Sequence, residues 1–167
     1  MFAGHAALAL VAKAARPRIP AALLVPVAFA PDVIEFLFSQ IGHRNREISH
    51  SLISVAVGAS IVALVYLLVS KDRTSAMVLW LTYASHWPAD FITGVKPTWP
   101  GGPTVGLFLY QRPVADAVLE SIMVIVCWLI YRASLPPASR KRVVGLLIPV
   151  GLVAMQLAFY ATPSLRK

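Results

Sequence analysis

Residues 50–70 read HSLISVAVGASIVALVYLLVS, a run of twenty-one residues without one Asp, Glu, Lys or Arg. As a helix this run reaches about 31 Å, which matches the roughly 30 Å hydrocarbon core of a bilayer. It has no polar stripe to turn toward water, so it reads as a membrane span. The rest of the chain is of the same kind. Of 167 residues, 58% are hydrophobic and 13% charged, and mean hydropathy is +0.73. A soluble domain carries about 25% charge. The composition therefore excludes a soluble domain, a disordered chain, a coiled coil and a small disulfide scaffold. The single cysteine, Cys127, has no partner for a bridge within the chain.

Four further segments have the length of a span: residues 19–40, 75–94, 114–133 and 143–161. A sixth, residues 2–15, reaches only about 21 Å before Arg16-Pro17 and Pro20 interrupt it. It reads as a tilted or partial span, or a half-inserted helix. A cleaved signal peptide is the competing reading, but the basic residues follow the apolar run instead of preceding it. The expectation is retention in the mature protein. The fold class is all-α: one polytopic membrane bundle over residues 1–167, of five to six spans, its first segment short. Residues 95–113 stand apart, because their prolines and glycines forbid a regular helix. A loop of that length is usually functional or mobile, and it is the candidate lid.

Lys and Arg orient the bundle. The connections 1–2, 3–4 and 5–6 hold Lys13, Arg16, Arg18, Lys71, Arg73, Arg132, Arg140, Lys141 and Arg142. The opposite side holds six cations: Arg44, Arg46, Lys96, Arg112, Arg166 and Lys167. The positive-inside rule places the nine-cation side in the cytoplasm. Only one acid, Asp72, lies there, so the net charge of +8 belongs to that side. The excess is an orientation signal with attraction for anionic lipid headgroups, and nucleic acid is not an expected partner.

The other acids, with every histidine, fall at the opposite level. Asp32 and Glu35 end the second span, His50 opens the third, His86 and Asp90 end the fourth, Asp116 and Glu120 begin the fifth, and His5 opens the first. Glu47 and His43 lie in the loop between spans two and three, and Glu47 reads as solvated surface. A lone acid at a helix centre costs about 2.5–3.5 kcal/mol to insert. Five of them need compensation from Arg44, Arg46, Lys96, Arg112, water or a metal ion. Imidazole and carboxylate are the donors zinc uses in catalytic sites. Asp32/Glu35 are i, i+3, while His86/Asp90 and Asp116/Glu120 are i, i+4, so each pair shares one helix face. Pro31 should bend the second span and aim Asp32 inward. Blander readings stand beside these. Ser49 with His50 could cap span three, His5 could anchor at the interface, and Asp116/Glu120 could pair with Arg112. Trp80, Trp87 and Trp99 read as interfacial aromatics, and Cys127 as packing. The joint placement of four histidines and six acids at one depth favours a metal site, with a proton relay as the alternative.

Pro31-Asp32, NREISHSLI at 45–53, HWPADFIT at 86–93 and Trp99-Pro100 together resemble the YdjM-like family of inner-membrane, metal-dependent hydrolases, also described as LexA-binding. The resemblance covers roughly residues 4–120. It implies that His5, Asp32, His50, His86 and Asp90 bind metal. Two departures are visible. The family's second acid follows the first by two positions, where this chain has Ile34 at that place and Glu35 one residue later than expected. Asn45 stands at a family histidine beside Arg46, so either His43 serves instead or one ligand is lost, leaving a non-catalytic member.

The expected function is a membrane-embedded hydrolase of a phosphoester or lipid-linked substrate, using one or two zinc ions or another divalent metal. The metal would lower the pKa of bound water from 15.7 toward about 7. Glu35 is the expected general base or bridging ligand, and Arg46 the grip on a phosphate oxygen. His43, Asp116 and Glu120 are further candidate ligands. The 99–110 stretch would cover the site and admit an acyl chain from the bilayer. Membrane lipid is the expected partner, with a homo-oligomer or larger membrane complex as an option. The alternative function is a non-catalytic metal-binding or proton-relay subunit of a larger assembly. A third option is docking of a soluble regulator on residues 139–142. The metal readings require His50 to lie within about one helix diameter, 10–12 Å, of His86 and Asp90.

Overall fold

The structure, a computed structural model, describes residues 3–43, 47–140 and 144–161. Helices dominate: α1 Ala3–Ala15, α2 Ala21–Ala28, α3 Ala30–Gln40, α4 Glu47–His50, α5 Leu52–Ser70, α6 Arg73–Ala84, α7 His86–Thr93, α8 Pro113–Ser134, α9 Pro137–Arg140 and α10 Val144–Ala161. Between α7 and α8 lie two short strands, β1 Lys96–Pro97 and β2 Thr104–Val105, and a 3-10 turn at Leu109–Gln111.

Two helices, α5 and α8, are long and apolar enough to cross a membrane. On α5 the residues Ile61, Leu64, Val65 and Leu68 are exposed, and Val69 is 83% exposed. Water would not tolerate such a surface on a stable monomer, whereas lipid does. The 19–40 segment is broken: α2 and α3 meet the same test only as a pair, bent by 61°. Pro31 sits in the first turn of α3 and has no N–H to continue the ladder across the break. Residues 75–94 likewise divide into α6 and α7 at Ser85. Its hydroxyl donates to the Thr82 carbonyl at 2.8 Å, and Pro88 follows in the first turn of α7. The apolar parts of α1 and α10, Ala3–Ala15 and Gly145–Ala158, are shorter than a span.

The core is built around α1. Its Ala9 and Ala12 pack with Leu24 and Val27 of α2, Val55 and Ala59 of α5, and Leu79 and Tyr83 of α6. Its Ala3 and Ala7 pack with Val124 and Cys127 of α8, which confirms Cys127 as a packing residue. Alanine at these positions lets helix backbones approach closely, the usual device where lipid supplies no hydrophobic drive between helices. Caps set two helix starts. Ser51 Oγ accepts the Ser54 N–H at 3.1 Å, so Ser51 and not Ser49 caps α5. Asp72 caps α6 through the Ser75 N–H at 3.1 Å and takes a 2.8 Å bond from Arg16. The Arg16 guanidinium, with Ser75, holds the Asp72 carboxyl well below the usual carboxylate range.

The 95–113 connection is ordered by hydrogen bonds. β1 and β2 pair antiparallel, Lys96 opposite Val105 and Pro97 opposite Thr104. The hairpin is tied to α5 by the Ile53 N–H on the Thr98 carbonyl at 3.3 Å, and to α7 by the Leu107 N–H on the Phe91 carbonyl at 2.8 Å. Its tip carries Gly101 at φ +75°, left-handed backbone that glycine adopts freely. The Gly101 N–H donates to Glu47 Oε2 at 2.9 Å. Glu47 is therefore not the solvated surface acid expected from sequence. The hairpin folds back over α4, and a backbone N–H there needs an acceptor.

Candidate functional site

Four separated pieces of chain converge beneath this hairpin. The first turn of α1 brings His5, α3 brings Asp32 and Glu35, α4 brings His50, and α7 brings His86 and Asp90. The geometry is tight. His5 Nε2 lies 3.2 Å from Asp90 Oδ1, and His50 Nε2 lies 3.1 Å from Asp32 Oδ1 and 3.7 Å from Asp90 Oδ2. His50 Nδ1 lies 3.3 Å from Glu35 Oε2. His86 Nε2 lies 3.4 Å from Asp90 Oδ2 and 3.7 Å from Asp32 Oδ1. The His5 and His86 rings stack with centroids 3.9 Å apart, and the His50 ring meets His86 edge-on at 5.1 Å. The proximity required of His50 is met with a wide margin.

The three histidines and Asp90 are buried, while Asp32 is 44% and Glu35 26% exposed at the side chain. The cluster is thus closed on the α1 and α7 side and open along α3. Exposed Val33, Phe36 and Leu37 on α3 flank that opening with apolar surface.

Second contacts hold the imidazoles. His86 Nδ1 lies 3.0 Å from the Ala28 carbonyl. A carbonyl only accepts, so Nδ1 carries a proton, and in the neutral tautomer the lone pair of the ring lies at Nε2. That Nε2 is buried and makes no hydrogen bond, yet it faces two carboxylate oxygens. Lone pair and carboxylate repel unless a cation or a proton lies between them. An ion with tetrahedral bonds of 2.0–2.1 Å sets its ligands about 3.3 Å apart, and the contacts at Asp90 and Asp32 run from 3.1 to 3.7 Å. Three sets of donor atoms lie mutually within 4.8 Å: His5/Asp32/His86, His50/His86/Asp90 and Asp32/Glu35/His50. These buried His and Asp groups have the chemistry and spacing to hold a metal ion.

Two contacts are not legible in the sequence. Lys96 Nζ donates to Asp90 Oδ2 at 2.6 Å, and Ser49 Oγ lies 2.8 Å from His50 Nδ1. The sequence offers Lys96 only as one of several compensating cations and Ser49 as a helix cap. The hairpin register places the first, and the shift of the cap to Ser51 frees the second.

The remaining candidates lie elsewhere. His43 is exposed and belongs to none of the three donor sets among the described residues. Its backbone N–H closes onto the Phe38 carbonyl at 2.9 Å, and Gly42 at φ +83° turns the chain away at the end of α3. Arg46, with Arg44 and Asn45, lies outside the described residues. Asp116 and Glu120 are fully buried on α8 and in none of the three donor sets. Asp116 forms no ion pair with Arg112 among the described residues. The link between α8 and the centre is Tyr110, hydrogen-bonded to Thr93 and within electrostatic reach of Asp90, Asp116 and Glu120.

No curated protein and no solved structure matches the chain. The family model described as YdjM inner membrane protein does, over residues 1–162, including α10, which carries none of the motifs. A membrane address agrees with the lipid-compatible surface of α5 and α8. With its motif residues assembled into one buried cluster, the chain belongs to the YdjM inner membrane protein family.

Proposed function

We propose that this protein is a multi-pass, divalent-metal-dependent hydrolase of a phosphoester or lipid-linked substrate, with its centre at the extracytoplasmic interface of the inner membrane. The spans are α1, the bent pair α2–α3, α5, α6 with α7, α8 and α10, giving five or six crossings according to whether α1 passes through. The observation that carries the metal reading is the buried His86 Nε2, which has no hydrogen-bond partner and is turned toward Asp32 and Asp90. His50, His86, Asp32 and Asp90 would hold the ion, with His5 on Asp90 and stacked against His86. Zinc suits this donor set. When bound, such an ion lowers the pKa of its water toward about 7 and draws charge from a phosphoryl oxygen.

The chain's own groups divide the rest of the work. Glu35 is half-open to solvent at 3.3 Å from His50, placed to take a proton from the attacking water. Lys96 brings a positive charge beside Asp90 that favours negative charge developing on the substrate. Arg46 is proposed as the phosphate grip. The apolar rim of Val33, Phe36 and Leu37 suits a substrate that keeps an acyl chain in the bilayer while its head enters between Asp32 and Glu35.

A second reading rests on one contact. The 2.6 Å bond from Lys96 to Asp90 already neutralises the most buried acid of the cluster, as expected of a non-catalytic subunit whose charges form a structural or proton-relay network. Elemental analysis of detergent-purified wild type, His86→Ala and Asp90→Ala separates the two. The hydrolase requires near-stoichiometric zinc that disappears in both variants, with turnover of a phospholipid or isoprenoid phosphate by the wild type. Zinc without turnover favours a non-catalytic metal-binding subunit, and protein without metal favours the charge network.

A further inference from the structure

At the opposite, cation-rich end of the molecule, two features of the α8–α10 seam run into one another. Near the end of α8 a small notch is lined by Trp128, Arg132, Arg140, Gly145 and Leu146. Beside it runs an apolar groove of about 590 Å³ bounded by Ile125, Trp128, Leu146, Pro149, Val153 and Leu157. Trp128 and Leu146 wall both, so the notch opens directly into the groove. The stretch from Leu146 to Leu157 covers about 16 Å of helix, half of a roughly 30 Å hydrocarbon core and therefore one leaflet deep.

The notch is built to keep its guanidinium groups in place. The Trp128 indole N–H donates to the Gly145 carbonyl at 2.8 Å, which fixes the ring. Arg132 lies over that ring at 5.2 Å and donates through Nε to the Arg140 carbonyl at 3.3 Å. Arg140 is in turn held by the Leu135 and Ala133 carbonyls at 2.7 and 2.6 Å. Among the described residues no carboxylate reaches either arginine. Asp72, the single acid on this side, is occupied by Arg16 at 2.8 Å. Positive charge without a counter-anion at the mouth of a leaflet-deep apolar groove complements one kind of molecule, an anionic lipid.

We propose that the α8–α10 seam binds an anionic phospholipid, its headgroup phosphate on Arg132 and Arg140 and one acyl chain along the groove to Leu157. The site is independent of the histidine cluster and of any reaction there. Native mass spectrometry of the detergent-purified full chain, titrated with phosphatidylglycerol or with phosphatidylcholine of the same acyl chains, tests it. Wild type is expected to retain phosphatidylglycerol at least about fivefold better, the scale of one basic residue at a membrane surface. Arg132→Gln should abolish that preference, and Leu146→Trp, which fills the groove without changing charge, should abolish retention of both lipids. Arg18→Gln, on the same side but away from the seam, should leave the preference intact. Equal retention of the two lipids overturns the proposal. So does an equal loss from Arg18→Gln, which would mean diffuse surface charge, or lipid-free dimers broken by Leu146→Trp, which would mean that the groove seats a second copy of the chain. Circular dichroism confirms that each variant is helical before its result is counted.

Discussion

At the scale of single residues, Lys96 is the side chain on which the reading of the centre turns. Its ammonium stands 2.6 Å from Asp90 Oδ2, and a divalent ion would have to share that carboxylate with it. If the cluster is a metal site, Lys96→Met removes a competing positive charge and should tighten zinc binding about tenfold, measured by competition with a chromogenic chelator. If the cluster is a charge network, the same change removes the ammonium from the buried Asp90 and should lower thermal stability, with no zinc bound in either protein. A second expectation concerns the His86 ring, which is oriented by the Ala28 carbonyl at Nδ1. His86→Gln, which keeps volume and some polarity, should still reduce zinc affinity by more than about tenfold, because the amide cannot replace a fixed imidazole lone pair. Measured zinc content after dialysis checks this.

At the scale of elements, the polar device that joins the cation-rich ends of α1 and α6 is Asp72, which caps α6 and binds Arg16 just beyond α1. Its carboxyl is held below the ordinary range by Arg16 and Ser75. A depressed carboxyl contributes stability that is fully present above its unfolded value, about 3.9, and is lost as the pH falls through the lower folded value. This contact should therefore be insensitive to pH between about 8 and 5 and should weaken only in stronger acid. Asp72→Asn should retain the cap and lose the ion pair, while Asp72→Ala should lose both, so melting temperature should fall in that order. At the other end, Gly106 closes the hairpin at φ +158°, where an added Cβ would meet the Gly94 carbonyl. Gly106→Ala should displace the hairpin and with it Lys96.

At the scale of the whole molecule, the topology makes a direct prediction. Gln111, in the connection after the hairpin, and Ser134, at the far end of α8, belong to opposite ends of one spanning helix. In intact cells or sealed vesicles, a membrane-impermeant maleimide should label Gln111→Cys from the extracytoplasmic side and Ser134→Cys only after permeabilisation. Cys127, buried between α8 and α1, should stay unlabelled in both and needs no replacement. Labelling of both positions from the same side would remove the bundle topology and the orientation together.

Membrane class, helical architecture and most of the residues that assemble into the buried cluster belong to the linear chain. Bilayer thickness imposes a minimum length on an apolar run, and an acid inside such a run is too costly to be incidental, so Asp32, His86 and Asp90 stand out by their position in the sequence alone. Glu35 stands out by its spacing from Asp32, and His50 by its place at the start of the third run. What the chain in one dimension does not contain is the relation between runs. The breaks at Pro31 and Ser85 and the turn at Gly42 are local, but that Lys96 lands on Asp90 while Glu47 secures the hairpin tip depends on contacts between separate elements. The tertiary structure decided those, because a turn or a hairpin docks wherever its unsatisfied N–H and carbonyl groups find partners, and those partners come from other elements.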